Sequence, residues 1–338
     1  MDTLKLIVED IKKETADTST FFLREASGDK ISYEAGQFLT LVFSHHNEEI
    51  TRSYSLSSSP DDDLLSITVK RIPNGEISRF LLTHVKVGDT LNAIPPAGRF
   101  VLPADLKQKQ LIFFAAGSGI VPVYAQIKYA LNRYPDKQFF LVYSNQSADG
   151  VIFKTELDNL SATNKNLAVH CLISDEGRRL NNAVVEKLIN QFSVDSNDSL
   201  FYICGPFAYM RMVRMSLHYL GVHDDRIKRE NFVLETVPVT SPVTNFPPRE
   251  IRIKYKGDWH DIIVGENQSI LQAALQNKIS LPYSCRSGMC SACFTKCTSG
   301  KVEIIKNEVL TPDDISNGYI LTCTGHPVTD DVVIEYKD

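Results

Sequence analysis

The stretch Cys285-Arg286-Ser287-Gly288-Met289-Cys290-Ser291-Ala292-Cys293, joined after twenty-nine further residues by Cys323, decides how this chain is read. Its gaps of four and two residues match the C-x4-C-x2-C…C spacing by which cysteine thiolates hold a plant-type [2Fe–2S] cluster. Three ligands then lie on one loop that wraps the cluster, and the fourth arrives from elsewhere. Gly288 and the small Ser284, Ser287, Ser291 and Ala292 suit a backbone wound tightly enough to aim its N–H groups at sulfur. Cys297 offers a rival fourth ligand at C-x3-C spacing. The bacterial run, however, starts with a two-residue gap and has proline after its last cysteine, whereas here the first gap is four and Thr298 follows. Zinc sites more often pair two short cysteine knuckles or include histidine. The expected ligands are therefore Cys285, Cys290, Cys293 and Cys323, with Cys297 and Cys171 read as buried free thiols.

Outward from the loop, Ile251 to Tyr255 and His260 to Val264 read as strands, and Ser269 caps a short helix from Ile270 to about Gln276. Just upstream, Thr236 to Pro248 holds Pro238, Pro242, Pro247 and Pro248 with almost no charge, and reads as a semi-rigid extended linker. From Leu4 to about Pro103 the chain runs in short apolar or alternating pieces (Phe38 to Phe43, Leu64 to Lys70, Thr90 to Ala93) punctuated by Gly, Pro, Asn and Asp. That rhythm predicts a small antiparallel barrel or sandwich, of which the barrel is taken as the expectation. From Lys109 the pattern changes to apolar strand runs, Leu111 to Ala116, Phe139 to Tyr143, Leu167 to Ile173 and Leu200 to Cys204, separated by segments long enough for helices. This is the alternation of a parallel α/β sheet. The expected organisation is a barrel over residues 1–104, an α/β domain over 105–235, a linker over 236–248 and the cysteine-bearing domain over 249–338.

Bulk properties exclude several classes. With 36 basic and 41 acidic residues the formal charge is −5, which supplies no general attraction for nucleic acid or for anionic membranes. Seven cysteines, four of them between Cys285 and Cys297, argue for a metal site rather than a disulfide framework. Met1 to Glu14 carries charges every few residues and lacks the apolar run of about 7–15 residues that a signal peptide needs, so a cytoplasmic location is expected. Leu111 to Ile127 is too short to span a bilayer and is broken by Gly117, Gly119 and Pro122.

Two further sets of residues point to planar and phosphate-bearing ligands. Arg52-Ser53-Tyr54-Ser55 offers a fixed cation, an aromatic plane and hydroxyl donors on one strand. After it, Val69-Lys70-Arg71 precedes Asn74-Gly75-Glu76-Ile77-Ser78, a turn and helix start whose free N–H groups suit a pyrophosphate. In the α/β part, Gly117-Ser118-Gly119-Ile120-Val121-Pro122 falls where the first strand turns into a helix, with Pro122 in place of the third glycine of the dinucleotide fingerprint. Cys204-Gly205-Pro206 follows a later strand, at the carboxyl edge where such sheets bind ligands. Beyond the second strand, Ser144-Asn145-Gln146-Ser147 contains neither an acidic residue for a ribose 2′-hydroxyl nor an adjacent arginine for a 2′-phosphate, and Arg178 and Arg179 are the nearest candidates for the latter.

In this order the motifs resemble ferredoxin–NADP+ reductase-type flavoproteins fused to a C-terminal plant-type ferredoxin of β-grasp fold, over nearly the whole chain. The chain is similar above all to the reductase components of oxygenases such as the phenylacetyl-CoA epoxidase system. The resemblance implies that Arg52 binds the flavin phosphates, that Tyr54 packs on the flavin or its ribityl chain, and that Ser53 and Ser55 belong to the same strand, with Ser55 near the reactive edge of the ring. It places Thr68, Val69 and Lys70 and Gly75, Glu76, Ile77 and Ser78 around FAD. Gly117, Ser118, Gly119, Ile120 and Pro122 would lie under the NAD(P)H pyrophosphate, and Cys204, Gly205 and Pro206 beside the nicotinamide. Phe232 would stand in for the aromatic residue that often ends unfused relatives. Ser55 and Cys204 are the expected tuners of hydride transfer.

The three sites make one device, because a nicotinamide delivers two electrons as hydride while a [2Fe–2S] cluster accepts one, and a flavin must lie between. The implied path runs from NAD(P)H through FAD to the cluster and on to an oxygenase component, with no role for nucleic acid or membrane. Rival readings are a reductase for another mono- or dioxygenase, and a non-enzymatic carrier or redox sensor.

Overall fold

The computed structural model describes residues 3–45, 48–232 and 245–336. The chain divides after Asn231 into two compact units, each of which has its own sheets and core.

The first unit begins with β1 (Leu4–Thr15), β2 (Thr18–Glu25), β3 (Phe38–His45), β4 (Glu48–Ser55), β5 (Leu65–Lys70), helix α1 (Glu76–His84) and β6 (Thr90–Ala97). The strands form an antiparallel sheet in the order β4-β3-β6-β1-β2-β5. Its two ends meet just beyond β4, where Leu56 bridges Ile67 and Ser57 N donates to Ser66 O at 2.8 Å, so the sheet closes into a barrel. Period-two alternation turns Leu6, Val8, Leu23, Leu39 and Leu41 inward with no exposed surface. Burying each such side chain contributes roughly 1.5–3 kcal/mol, which outweighs any single surface contact.

The same unit continues with β7 (Gln110–Ala116), α2 (Ile120–Arg133), β8 (Gln138–Asn145), α3 (Lys154–Thr163), β9 (Leu167–Ile173), α4 (Asn182–Gln191), β10 (Ser199–Cys204), α5 (Phe207–Tyr219) and β11 (Ile227–Glu230). The five strands are parallel in the order β11-β10-β7-β8-β9. Both faces are covered, which is why the strands read as continuous apolar runs. On one face Leu111, Phe113 and Leu141 pack with α2; on the other Ile112, Phe114 and Val142 pack with α4 and α5. Barrel and sheet are joined by ion pairs from Lys128 to Asp62 (2.5 Å), Arg133 to Asp61 (3.3 Å) and Lys12 to Glu156. At the centre of this seam the Gln126 amide donates to Phe100 O, and Gly36 (φ +101°) leaves no room there for a side chain.

The second unit contains β12 (Arg249–Tyr255), β13 (Asp258–Val264), α6 (Ile270–Gln276), β14 (Phe294–Ser299), β15 (Val302–Ile304), α7 (Pro312–Ser316), β16 (Tyr319–Leu321), β17 (Gly325–Pro327) and β18 (Val333–Glu335). A mixed sheet runs β13-β12-β18-β14-β16, with β12 and β18 parallel, and β15 pairs with β17. Helix α6 starts at Ser269 as expected and packs Ile270, Leu271 and Ala274 among Ile251, Ile253, Ile262 and Ile334. This is the α+β arrangement of a β-grasp domain. Of the expected linker, residues 236–244 lie outside the described residues. Phe246 is buried: its ring stacks on His326 (centroids 4.3 Å apart, planes at 13°), and its backbone trades hydrogen bonds with Asn267.

Candidate functional site

Four sulfurs gather in the second unit. Cys285 Sγ lies within hydrogen-bonding reach of the thiols of Cys290 and Cys323, and Cys293 Sγ within reach of that of Cys323. Backbone amides converge on the same sulfurs: Ser287 N and Met289 N donate to Cys285 Sγ at 3.4 Å, Gly288 N to Cys323 Sγ at 3.3 Å, and Cys285 N to Cys290 Sγ at 3.4 Å. Hydrogen bonds from Cys290 and Cys323, together with these amides, hold the Cys285 thiol far below its ordinary range; Cys293 is drawn down chiefly by Cys323. The loop attains this curvature through positive φ at Arg286 (+53°), Gly288 (+74°) and Ser291 (+54°). A Cβ on Gly288 would collide with the Lys306 backbone. Cys293 and Cys323 are tied across the site by Thr322 N donating to Cys293 O at 3.2 Å. Four converging sulfurs ringed by N–H donors suit a [2Fe–2S] cluster.

Cys297 lies apart on β14, half-buried, its thiol donating to Ser299 O at 3.0 Å. Cys171 is also half-buried rather than fully enclosed.

In the first unit, the carboxyl edge of the parallel sheet brings together residues from distant parts of the chain. The register of β10 with β11 sets Cys204 beside Glu230, and Ser55 Oγ, at the end of barrel strand β4, donates to Glu230 Oε2 at 3.4 Å. Ser55 and Cys204, singled out from sequence, thus share one carboxyl group that sequence reasoning missed. Loss of hydration pushes the Glu230 carboxyl up to about 8, against the pull of the Ser55 hydroxyl. Burial, reinforced by Glu230, pushes the Cys204 thiol well above its usual value. The group is therefore a neutral thiol, a hydroxyl and a carboxyl that exchanges its proton near neutral pH.

The glycines around it have different tasks. Gly119 packs its Cα on the Cys204 carbonyl; a Cβ there would lie 2.8 Å from Gly205 N and nearer still to Cys204. Gly205 in turn fits against Ala116. Gly117 (φ +53°) faces open space, which leaves the loop surface accessible to a dinucleotide. No side chain caps α1 at Gly75 or α5 at Pro206, so their first-turn N–H groups suit phosphate oxygens, whereas α2 continues a 3-10 turn, Gly117–Gly119, whose carbonyls already accept the Ile120 N–H.

The remaining predicted residues divide by where their side chains go. Arg52 is exposed, its Nη1 donating to Thr51 O at 2.8 Å, and Tyr54 is half-buried with its phenol pushed up to about 12 by burial. Ser53 is exposed and within 3.1 Å of the Thr40 hydroxyl. Lys70 pairs with Asp17 at 3.7 Å. Val69, Ile77, Ile120 and Pro122 point into the core, Thr68 bonds to Thr20 and Ser57, and Ser78 donates to Gly75 O to close its own turn. From these positions only the backbone is left to meet a ligand. Glu76 and Ser118 flank the two turns, and Phe232 is 45% exposed.

Comparison with known proteins follows the same partition. Residues 5–102 match an oxidoreductase FAD-binding domain, 113–215 an oxidoreductase NAD-binding domain, and 253–328 a 2Fe-2S iron-sulfur cluster binding domain. The chain is 32% identical to a component of the 1,2-phenylacetyl-CoA epoxidase of Escherichia coli (strain K12), over 98% of this chain and 97% of that protein. It is 34% identical to the ferredoxin reductase component of 3-ketosteroid-9-alpha-monooxygenase from Rhodococcus rhodochrous, over 98% and 96% respectively. Among solved structures, phthalate dioxygenase reductase superposes with a TM-score of 0.62 at 24% identity, over 99% of this chain and 98% of that one.

Proposed function

The chain belongs to the ferredoxin–NADP+ reductase-type flavoproteins with a C-terminal [2Fe–2S] ferredoxin domain, and on that premise we propose that it is the reductase component of an oxygenase for phenylacetyl-CoA. It is an oxidoreductase whose cofactors are FAD and a [2Fe–2S] cluster and whose electron donor is NAD(P)H. Bound flavin supplies the conversion of a two-electron hydride donor into one-electron steps.

The observation that carries the reading is the meeting of Ser55, Cys204 and Glu230 at the sheet edge, each from a different strand. In this proposal the domains run 1–104, 105–235 and 249–338. The Ser55 hydroxyl and the Glu230 carboxyl hold the reacting edge of the flavin and keep an exchangeable proton beside it. Cys204, with no exposed surface and its thiol neutral, excludes water and brings no charge to the nicotinamide side. Arg52 and the first turn of α1 meet the flavin phosphates; Gly117 and Gly119 admit the dinucleotide backbone. Cys285, Cys290, Cys293 and Cys323 ligate iron, and their amide donors stabilise the sulfur charge that grows on reduction.

The relay is tested by anaerobic addition of pyridine nucleotide to purified holoprotein. Both the flavin and the iron–sulfur absorption bands should bleach; bleaching of the flavin alone would overturn it. The choice of oxygenase rests on likeness to the Escherichia coli epoxidase component along the chain, and the Rhodococcus relative supplies the competing reading. Reconstitution with each purified oxygenase decides between them: coupled turnover of phenylacetyl-CoA, and not of a ketosteroid, is expected.

A further inference from the structure

The loop that gathers the four cysteines also carries a hydroxyl placed to set how readily the cluster takes an electron, an inference that rests on the proposal that these cysteines ligate it. A [2Fe–2S] cluster accepts one electron, and part of the added charge settles on the ligand sulfurs. A hydrogen-bond donor aimed at such a sulfur stabilises the reduced form more than the oxidised one. It therefore raises the potential at which the electron is accepted.

Most of the donors at this site are backbone amides, which every residue but proline supplies. Ser287 adds a side chain to its amide. It stands between two residues of positive φ, Arg286 (+53°) and Gly288 (+74°). The turn is pinned from outside: Glu308 N donates to Gly288 O at 3.0 Å, and the Lys306 carbonyl fills the space that a Cβ on Gly288 would need. Ser287 is thereby folded back over the cysteine two residues before it, and its N–H donates to Cys285 Sγ at 3.4 Å. The Ser287 Oγ is buried. Among the described residues it meets no oxygen or nitrogen partner, and Cys285 Sγ lies within its hydrogen-bonding reach. A buried hydroxyl so placed turns its proton to the sulfur rather than leave it unsatisfied.

Neighbouring polar groups are committed differently. The Thr322 hydroxyl, within reach of Cys293 Sγ, is shared with Cys293 O at 3.4 Å and with the Tyr336 hydroxyl at 3.0 Å. Arg286 is exposed, its guanidinium 4.3 Å from the centre of the Tyr283 ring, so solvent screens its charge.

We propose that Ser287 is a positioning residue for electron transfer, whose hydroxyl donates to Cys285 Sγ and raises the reduction potential of the cluster. The backbone donors fix a baseline, and this one side chain moves the cluster up from it, so that the electron leaves the reduced flavin more readily.

The test is a redox titration of holoprotein, followed by the electron paramagnetic resonance signal of the reduced cluster. Ser287→Ala should lower the midpoint potential: at a fixed potential the ratio of reduced to oxidised cluster should fall about threefold to tenfold, which is about 30–60 mV for one electron. Ser287→Thr, which keeps the hydroxyl, should restore most of the loss. Reduction of the flavin by pyridine nucleotide should keep its wild-type rate in both. A second readout reports the bond itself. The iron–sulfur stretching bands in the resonance Raman spectrum of wild type should shift on brief transfer to D2O, and that shift should shrink in Ser287→Ala. A Ser287→Ala protein with wild-type potential and wild-type deuterium shift would overturn the proposal. Equal loss of potential in the Ala and Thr variants would also overturn it, because it would assign the effect to packing. If Ser287→Ala fails to hold the cluster, wild type and Ser287→Thr decide: no deuterium shift in either sinks the hydroxyl donor. Wild-type protein without bound iron and sulfide is a different result, which removes the ligand reading on which the proposal stands.

Discussion

Helices α1, α2 and α5 of the first unit begin at Gly75, Gly119 and Pro206 with no side chain closing the first turn, whereas α6 and α7 of the second begin at Ser269 and Thr311, each closed by a reciprocal capping box. A missing cap costs a helix about 1 kcal/mol. The starts of α1 and α5 forgo it and keep first-turn N–H groups that suit phosphate oxygens, while at α2 the Ile120 N–H turns back to the Gly117 and Ser118 carbonyls. In the second unit the negative charge is on sulfur, the donors come from the loop Cys285 to Cys293, and the helices can close on themselves. Helix α4, which follows the outermost strand, is capped by Asn181. Helix α3 lacks a side-chain cap too, but its entry is ordered differently, with Phe153 at φ +59° and Ile152 N donating to the Tyr143 hydroxyl.

The largest test of this contrast removes sulfur from the loop system. Cys323→Ser should abolish the cluster, read as loss of bound iron and sulfide and of the iron–sulfur electron paramagnetic resonance signal, while pyridine nucleotide still reduces the flavin. Next in size is Gly119→Ala, whose methyl meets the Cys204–Gly205 backbone. A loss of about 2–3 kcal/mol in denaturant unfolding is expected, with a raised KM for the nucleotide. Gly117→Ala meets open space and should cost about 1 kcal/mol, chiefly for its positive φ.

A third test concerns protons rather than packing. The Glu230 carboxyl stands at about 8 in the folded protein against an ordinary 4.5, so between those values the folded state binds more protons than the unfolded one. Stability should therefore fall as pH rises through that window, and Glu230→Gln should flatten the fall, as read from thermal midpoints at pH 5 and pH 8.5. The smallest effect is expected of Ser269→Ala, which opens the α6 capping box and should lower the stability of the second unit by about 1 kcal/mol, with the cluster spectrum unchanged.

Much of this architecture was legible because it repeats simple patterns. The buried runs of β7, β8, β9 and β10 announce a sheet covered on both faces, and the cysteine spacing announces its metal. The start of the helix Ile270–Gln276 was legible from Ser269. Glu230 was not, because one carboxylate on the four-residue strand β11 forms no motif. Only the parallel register with β10 sets it beside Cys204, and only closure of the barrel against the sheet brings Ser55 to it. Sequence also gave no sign that Thr68, Val69, Ile77, Ile120 and Pro122 turn inward, because membership of a binding motif does not separate a residue that offers its backbone from one that offers its side chain.

Phe246 bears on how such a protein could be assembled from parts. The proline-rich stretch suggested that the ferredoxin portion starts at Arg249, with the first strand. Phe246, which makes the aromatic stack on His326 and the paired hydrogen bonds with Asn267, completes that portion although it lies upstream of Arg249. A recombination that moved only residues 249 onward into another reductase would uncover the His326 ring and leave the Asn267 amide and carbonyl groups searching for partners. The heritable cassette, in the sense of the shortest piece that travels with its own surface finished, starts no later than Phe246.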